Sequence, residues 1–114
     1  MKELAMTLDL RDDPEAIATY RRHHQQVWPE VLAALREVGV MDMRIWLRGN
    51  RMFMLMEVKD DFNPDFDFPR YLTLHPRCQE WEDLMGTFQQ PLPDSESGEK
   101  WVEMEKVFHM SEQG

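Results

Sequence analysis

The chain has a single cysteine, Cys78, which excludes an internal disulfide and fits a reducing, cytoplasmic setting. Basic residues are outnumbered. Thirteen Lys and Arg against 22 Asp and Glu leave a formal charge of -9, which argues against nucleic acid or an anionic membrane as partner. The acidity is expected to serve solubility. Five scattered glycines form no G-x-G or G-x-x-x-x-G-K run, so no phosphate-cradling loop is expected. No apolar stretch is long enough for a signal peptide or a membrane span, and neither is expected. Metal spacing is missing too. His23 and His24 are adjacent and diverge on a helix, and there is no His-Glu-x-x-His.

Hydrophobic residues at 42%, with 11% aromatic, exclude a disordered chain and suit one domain over residues 1–114. Leu4, Met6, Leu8 and Leu10 alternate with more polar residues, which predicts a first strand. Asp13-Pro14-Glu15 is a helix start, with an N-cap acid and proline at the first helical position. The pattern then predicts one helix as far as Gly39, kinked by Pro29 just past His24. Arg48-Gly49-Asn50-Arg51 reads as a two-residue hairpin loop, with glycine and asparagine supplying positive φ. That register pairs Leu47 with Met52, Ile45 with Met54 and Met43 with Met56 on one apolar face. The other face carries Arg48 and Arg51, Trp46 and Phe53, Arg44 and Leu55. It is too apolar to stand in water, so a second copy is expected to cover it, giving a homodimer built partly sheet to sheet.

Residues 59–66 read as a loop and 67–73 as a short helix. A clearer helix begins near Pro76, with Cys78, Trp81, Met85 and Phe88 as its inward stripe. Residues 94–99 read as a polar linker, and 101–110 as the last strand. Cys78 is expected to be a small buried hydrophobe, and His75 a helix cap or surface residue. The order strand, helix, strand, strand, helix, strand is the ferredoxin-like split βαβ arrangement, an α+β fold.

Within the first helix, Ile17, Tyr20, His24, Val27, Val31, Leu35 and Val38 recur at threes and fours. A phenol and an imidazole thus stack one turn apart on the inward face. A buried imidazole needs a hydrogen-bond partner. Two readings follow: a core histidine bonded to a carbonyl or to Tyr20, or an acid/base group lining a pocket. Trp81 is expected to converge on the same place and reads either as core filler or as the aromatic wall of a pocket.

Tyr-x-x-x-His-x-x-x-Trp-Pro-Glu (Tyr20 to Glu30), Cys78-Gln-Glu-Trp81 and Glu105-Lys-Val-Phe-His-Met110 together resemble the L-rhamnose mutarotase family. The resemblance covers nearly the whole chain in one order. It implies a dimeric α/β barrel that interconverts the anomers of a free 6-deoxyhexose, with no cofactor. By resemblance His24 is the catalytic histidine, and Tyr20 and Trp81 contact the substrate; His23 is expected on another side of the helix. Imidazole suits proton transfer near neutrality.

Two positions depart from the rhamnose-type pattern. Met43 replaces a tyrosine, and Glu82 replaces a second consecutive tryptophan. Both leave the His24 chemistry possible but alter the contacts that choose the sugar, leaving L-fucose, or another 6-deoxyhexose or aldose, open beside L-rhamnose. Glu82 is expected to be a solvated acid, with a carboxylate at the pocket rim as the other reading. His109 is expected to be structural or at the dimer interface, and Ser95 and Ser97 have no nucleophile setting. Two rival functions share this fold: a cofactor-independent monooxygenase and a non-catalytic sugar-binding module.

Overall fold

The computed structural model describes residues 1–95 and 100–113. Residues 96–99, within the expected linker and including Ser97, lie outside the described residues. The chain begins with β1 (Lys2–Leu10) and α1 (Pro14–His23), followed by α2 (Pro29–Glu37). The hairpin β2 (Val40–Arg48) and β3 (Arg51–Val58) leads to α3 (Pro64–Thr73) and α4 (Pro76–Gly86). Two short strands, β4 (Gln89–Gln90) and β5 (Val102–Glu103), and a final 3-10 turn at Met110–Glu112 complete it.

The sheet runs β2-β3-β1-β4, with β5 also on β1, all antiparallel. This is the ferredoxin-like order, and the α+β expectation holds. The hairpin register is as read from the sequence: Leu47, Ile45 and Met43 oppose Met52, Met54 and Met56. Gly49 has φ +60°, whereas Asn50 does not share a positive φ. One positive φ, at the first loop position, is the pattern of a type II′ turn, which also matches the strand twist. Asn50 is used differently: its amide donates to the Leu10 carbonyl and its own carbonyl accepts from Leu10 N–H, at 2.9 and 2.7 Å.

The inner sheet face is buried at Leu4, Met6, Leu8, Met52, Met54 and Met56 beneath Val31, Ala34, Cys78, Trp81 and Met85. The core is methionine-rich and adaptable in shape. Cys78 is fully buried, as expected. His75 caps α4, its Nδ1 accepting from Arg77 N–H at 3.0 Å.

Three further expectations need correction. The long kinked helix is two helices. Trp28, the residue before Pro29, has φ -60° and ψ 134°, because the proline ring disfavours the helical conformation in its predecessor. Pro29 therefore opens α2 at its first position instead of bending α1. The loop over 59–66 is shorter than read, since α3 starts at Pro64 with Asn63 as side-chain cap. The signal is the one already seen at Asp13-Pro14. Finally, the strand expected over 101–110 pairs only at Val102 and Glu103. Past the Met104 N–H bond to Ala5 O (2.7 Å) the tail leaves the sheet, and residues 105–110 are exposed. Val107 (88% exposed) and Phe108 (65%) stand in solvent.

Candidate functional site

The break between α1 and α2 shapes the site. With α1 ended, His24 caps it, and its Nδ1 lies 2.9 Å from the Tyr20 carbonyl. A carbonyl only accepts, so Nδ1 carries the proton and the Nε2 lone pair is left for a ligand. Burial lowers the imidazole pKa from its ordinary value, and His23 lowers it further, while the Tyr20 carbonyl opposes both. His24 is thus a neutral base at neutral pH.

Tyr20 is buried, and its ring stacks on His24 with centroids 4.2 Å apart and planes 29° from parallel. Burial pushes the phenol above its ordinary range, the Glu82 charge adds to this, and a hydrogen bond with Gln89 opposes it. It stays an O–H donor. From α4, Trp81 meets His24 edge-on at 5.5 Å and Trp28 at 5.1 Å. The Arg77 guanidinium lies 3.7 Å above the Trp28 ring, a cation–π contact that fixes that indole in turn.

These three side chains converge on one cleft of about 420 Å³ between the helices and the inner sheet face. Its floor is Met6, Met43, Ile45 and Met54. A second hollow of about 370 Å³ adjoins it, sharing His24, Trp81, Met43 and Ile45. A mostly apolar cleft with a few convergent polar groups is the form of a small-molecule site.

The structure adds residues that pattern reading missed. Tyr71, Gln89, Lys100 and Trp101 also line the cleft. Phe68, Tyr71 and Leu72 fall at helical spacing, so Tyr71 carried a signal. Gln89 and Lys100 carried none, because β4 and the return from the linker are set by pairing with β1. Glu82 corrects an expectation: it lines the cleft and pairs with Lys100 at 3.1 Å instead of standing alone in solvent. His23 is likewise not turned away, its ring lying 5.8 Å from Phe88 and 6.2 Å from Trp81, although it does not line the cleft. His109 does not line the cleft, and its Nδ1 lies 3.1 Å from Glu112 Oε1.

The sequence model of L-rhamnose mutarotase matches residues 3–110. The chain belongs to the L-rhamnose mutarotase family. This makes it one of a group of carbohydrate isomerases that interconvert the anomers of 6-deoxyhexoses. Among its relatives is an L-fucose mutarotase of Xanthomonas campestris pv. campestris, 44% identical, the match covering 98% of this chain and 90% of that one. An L-rhamnose mutarotase of Jannaschia sp. is 32% identical over 96% of this chain and 99% of the relative. The crystal structure of an L-rhamnose mutarotase from Formosa agariphila superposes with TM-score 0.69 at 25% identity, covering 96% and 99% of the two chains. Tetracenomycin F2 cyclase from Streptomyces glaucescens, at TM-score 0.56 and 21% identity over 96% and 98%, shares the fold alone. Among the described residues, no helix is long and apolar enough to cross a membrane.

Proposed function

We propose that this protein interconverts the α and β anomers of a free 6-deoxyhexose, L-fucose or L-rhamnose, with His24 as the proton-transfer group. The observation that carries this reading is a neutral imidazole with an unoccupied lone pair, held in an aromatic-walled cleft of a mutarotase-family chain. Nε2 of His24 takes the proton of the anomeric hydroxyl. The electron pair left on that oxygen forms the aldehyde C=O while the C1–O5 bond breaks, and O5 takes up a proton. Both oxygens are attached to C1 in the closed ring, so one imidazole can take the proton from the first and return it to the second. Rotation about C1–C2 and reversal of these steps close the ring as the other anomer. A positioned acid/base group of this kind contributes about 10²–10⁴-fold. Nothing is oxidised or reduced, and the steps call for no cofactor.

Tyr20 supplies a hydroxyl donor beside His24, and Trp81 a wall for the C–H face of the ring. The higher identity to an L-fucose mutarotase, together with Met43 and Glu82 at positions where the rhamnose-type pattern has aromatics, makes L-fucose the first sugar to test.

The reading extends to a single cytoplasmic domain over residues 1–114 that works as a homodimer. Support for the dimer comes from the outer sheet face, where half-exposed Trp46 leans on Phe53 at 5.5 Å with Arg44 over its ring. The uncovered apolar tail around Phe108 points the same way. Anomer exchange followed by proton NMR at equilibrium tests the function. The expected result is exchange of L-fucose or L-rhamnose well above the buffer rate, with L-arabinose slower. No acceleration with any of the three would refute it.

A further inference from the structure

One end of the cleft is charged, and the proton transfers above do not use it. Glu82 Oε1 and Lys100 Nζ lie 3.1 Å apart on its wall, beside Tyr20 and Gln89. Their side chains are about two-fifths exposed, at 39% and 41%. Pairs that open to water contribute little stability, with a median near 0–1 kcal/mol. Their place in the cleft therefore matters more than their strength.

A second feature is built around the same ammonium. Gly86 follows Glu82 by one turn on α4, and a Cβ there would come within 3.1 Å of Lys100 Nζ. Absence of a side chain at Gly86 lets Lys100 lie along the last turn of the helix. There the negative end of the helix dipole adds to the Glu82 charge. Burial above all raises the pKa of the Tyr20 and Tyr71 phenols, which line the same cleft, and the Glu82 charge adds to both.

We propose that the Glu82–Lys100 pair, seated by Gly86, is a specificity-determining element that reads two adjacent ring hydroxyls of the sugar. The carboxylate accepts from one hydroxyl and the ammonium donates to the oxygen of its neighbour. An indole at position 82, as in the rhamnose-type pattern, would read the C–H surface of the ring. An acceptor and a donor one hydrogen-bond length apart read instead how two hydroxyls are disposed. An epimer with one of those hydroxyls inverted leaves a charged group without its partner, and such a loss discriminates more strongly than a lost apolar contact. This inference rests on the sugar-mutarotase reading.

The test measures KM and kcat for L-fucose and L-rhamnose exchange in the full chain and in Glu82→Gln, Lys100→Met, Lys100→Arg and Gly86→Ala. Glu82→Gln and Lys100→Met are each expected to raise KM for the preferred sugar about tenfold, with a much smaller change in kcat. The ratio of kcat/KM between the two sugars should narrow. Combining the two changes should cost little more than either alone, because each already breaks the pair. Lys100→Arg should recover part of the loss. Gly86→Ala should raise KM in the same direction without altering a polar group. Unchanged KM and an unchanged sugar ratio in folded Glu82→Gln and Lys100→Met, beside an active parent protein, would overturn this inference alone. A parent protein that exchanges no sugar would remove the function and the inference together.

Discussion

Replacing His24 by alanine separates the chemical role of the imidazole from its structural one. The structural loss is bounded by what the ring touches. Its Nδ1 bond to the Tyr20 carbonyl contributes about 1 kcal/mol. The stack on Tyr20 and the edge contact with Trp81 add about 0.5–1.5 kcal/mol. A total near 2 kcal/mol is affordable for a domain with the usual stability of about 5–15 kcal/mol, so His24→Ala should remain folded. Anomer exchange should nevertheless fall by about 10²–10⁴-fold.

The pH dependence carries a second signature. The folded protein holds His24 below the ordinary histidine pKa, chiefly by burial, and so favours the neutral form. Its contribution to stability is complete above the unfolded value near 6.5. As the pH falls below that, the unfolded chain takes the proton first. Stability then declines with a slope of at most about 1.4 kcal/mol per pH unit, until the folded group also protonates. The difference between the melting curves of the parent and His24→Ala should narrow over that acid window. In parallel, kcat/KM should show an acid limb with its midpoint below 6.5, since catalysis needs the free lone pair. Exchange spectroscopy on the anomeric protons and thermal melts between pH 5 and 8 measure both, a range that spans the histidine titration. A folded His24→Ala protein within about threefold of parental exchange, against the expected 10²–10⁴-fold loss, would refute the reasoning. So would an acid limb centred above 6.5.

Other consequences can be checked more briefly. Trp81→Phe keeps an aromatic wall but shrinks a buried side chain that touches His24 and Trp28, so stability should drop by about 1–2 kcal/mol. KM for the sugar should rise several-fold, and an unaltered KM would remove Trp81 from the substrate wall. Gly39 has φ +109°, and an added Cβ would meet only an ordinary 3.5 Å contact with Phe62. Gly39→Ala should therefore cost about 1–2 kcal/mol through backbone strain alone, lowering Tm by about 4–8 °C per kcal/mol while leaving anomer exchange at 25 °C intact. Trp46→Glu puts a charge on the exposed outer sheet face. Light scattering should report a dimer for the parent and a monomer for this variant; a monomeric parent would refute the sheet-to-sheet assembly.

Features governed by near neighbours were legible in the chain itself. The Asp13-Pro14 helix start, the His75 cap, the Gly49 turn and the β2–β3 register depend on residues a few positions apart, whose steric and hydrogen-bonding preferences act locally. The Tyr20–His24 pair and the inward Trp81 followed from helical spacing, which fixes faces once a helix exists. Reading Pro29 as a kink failed because the constraint falls on Trp28, the residue before it, and this divides the helix and frees His24 to cap α1. Only the tertiary structure decided the rest. Lys100 reaches Glu82 across 18 residues of sequence because β4 and β5 pair with β1 and bring the two ends of that stretch to one cleft. The tail beyond Met104, read as part of a strand, leaves the sheet and stands exposed at Val107 and Phe108. Contacts of that kind depend on which surfaces meet, and no periodicity along the sequence encodes them.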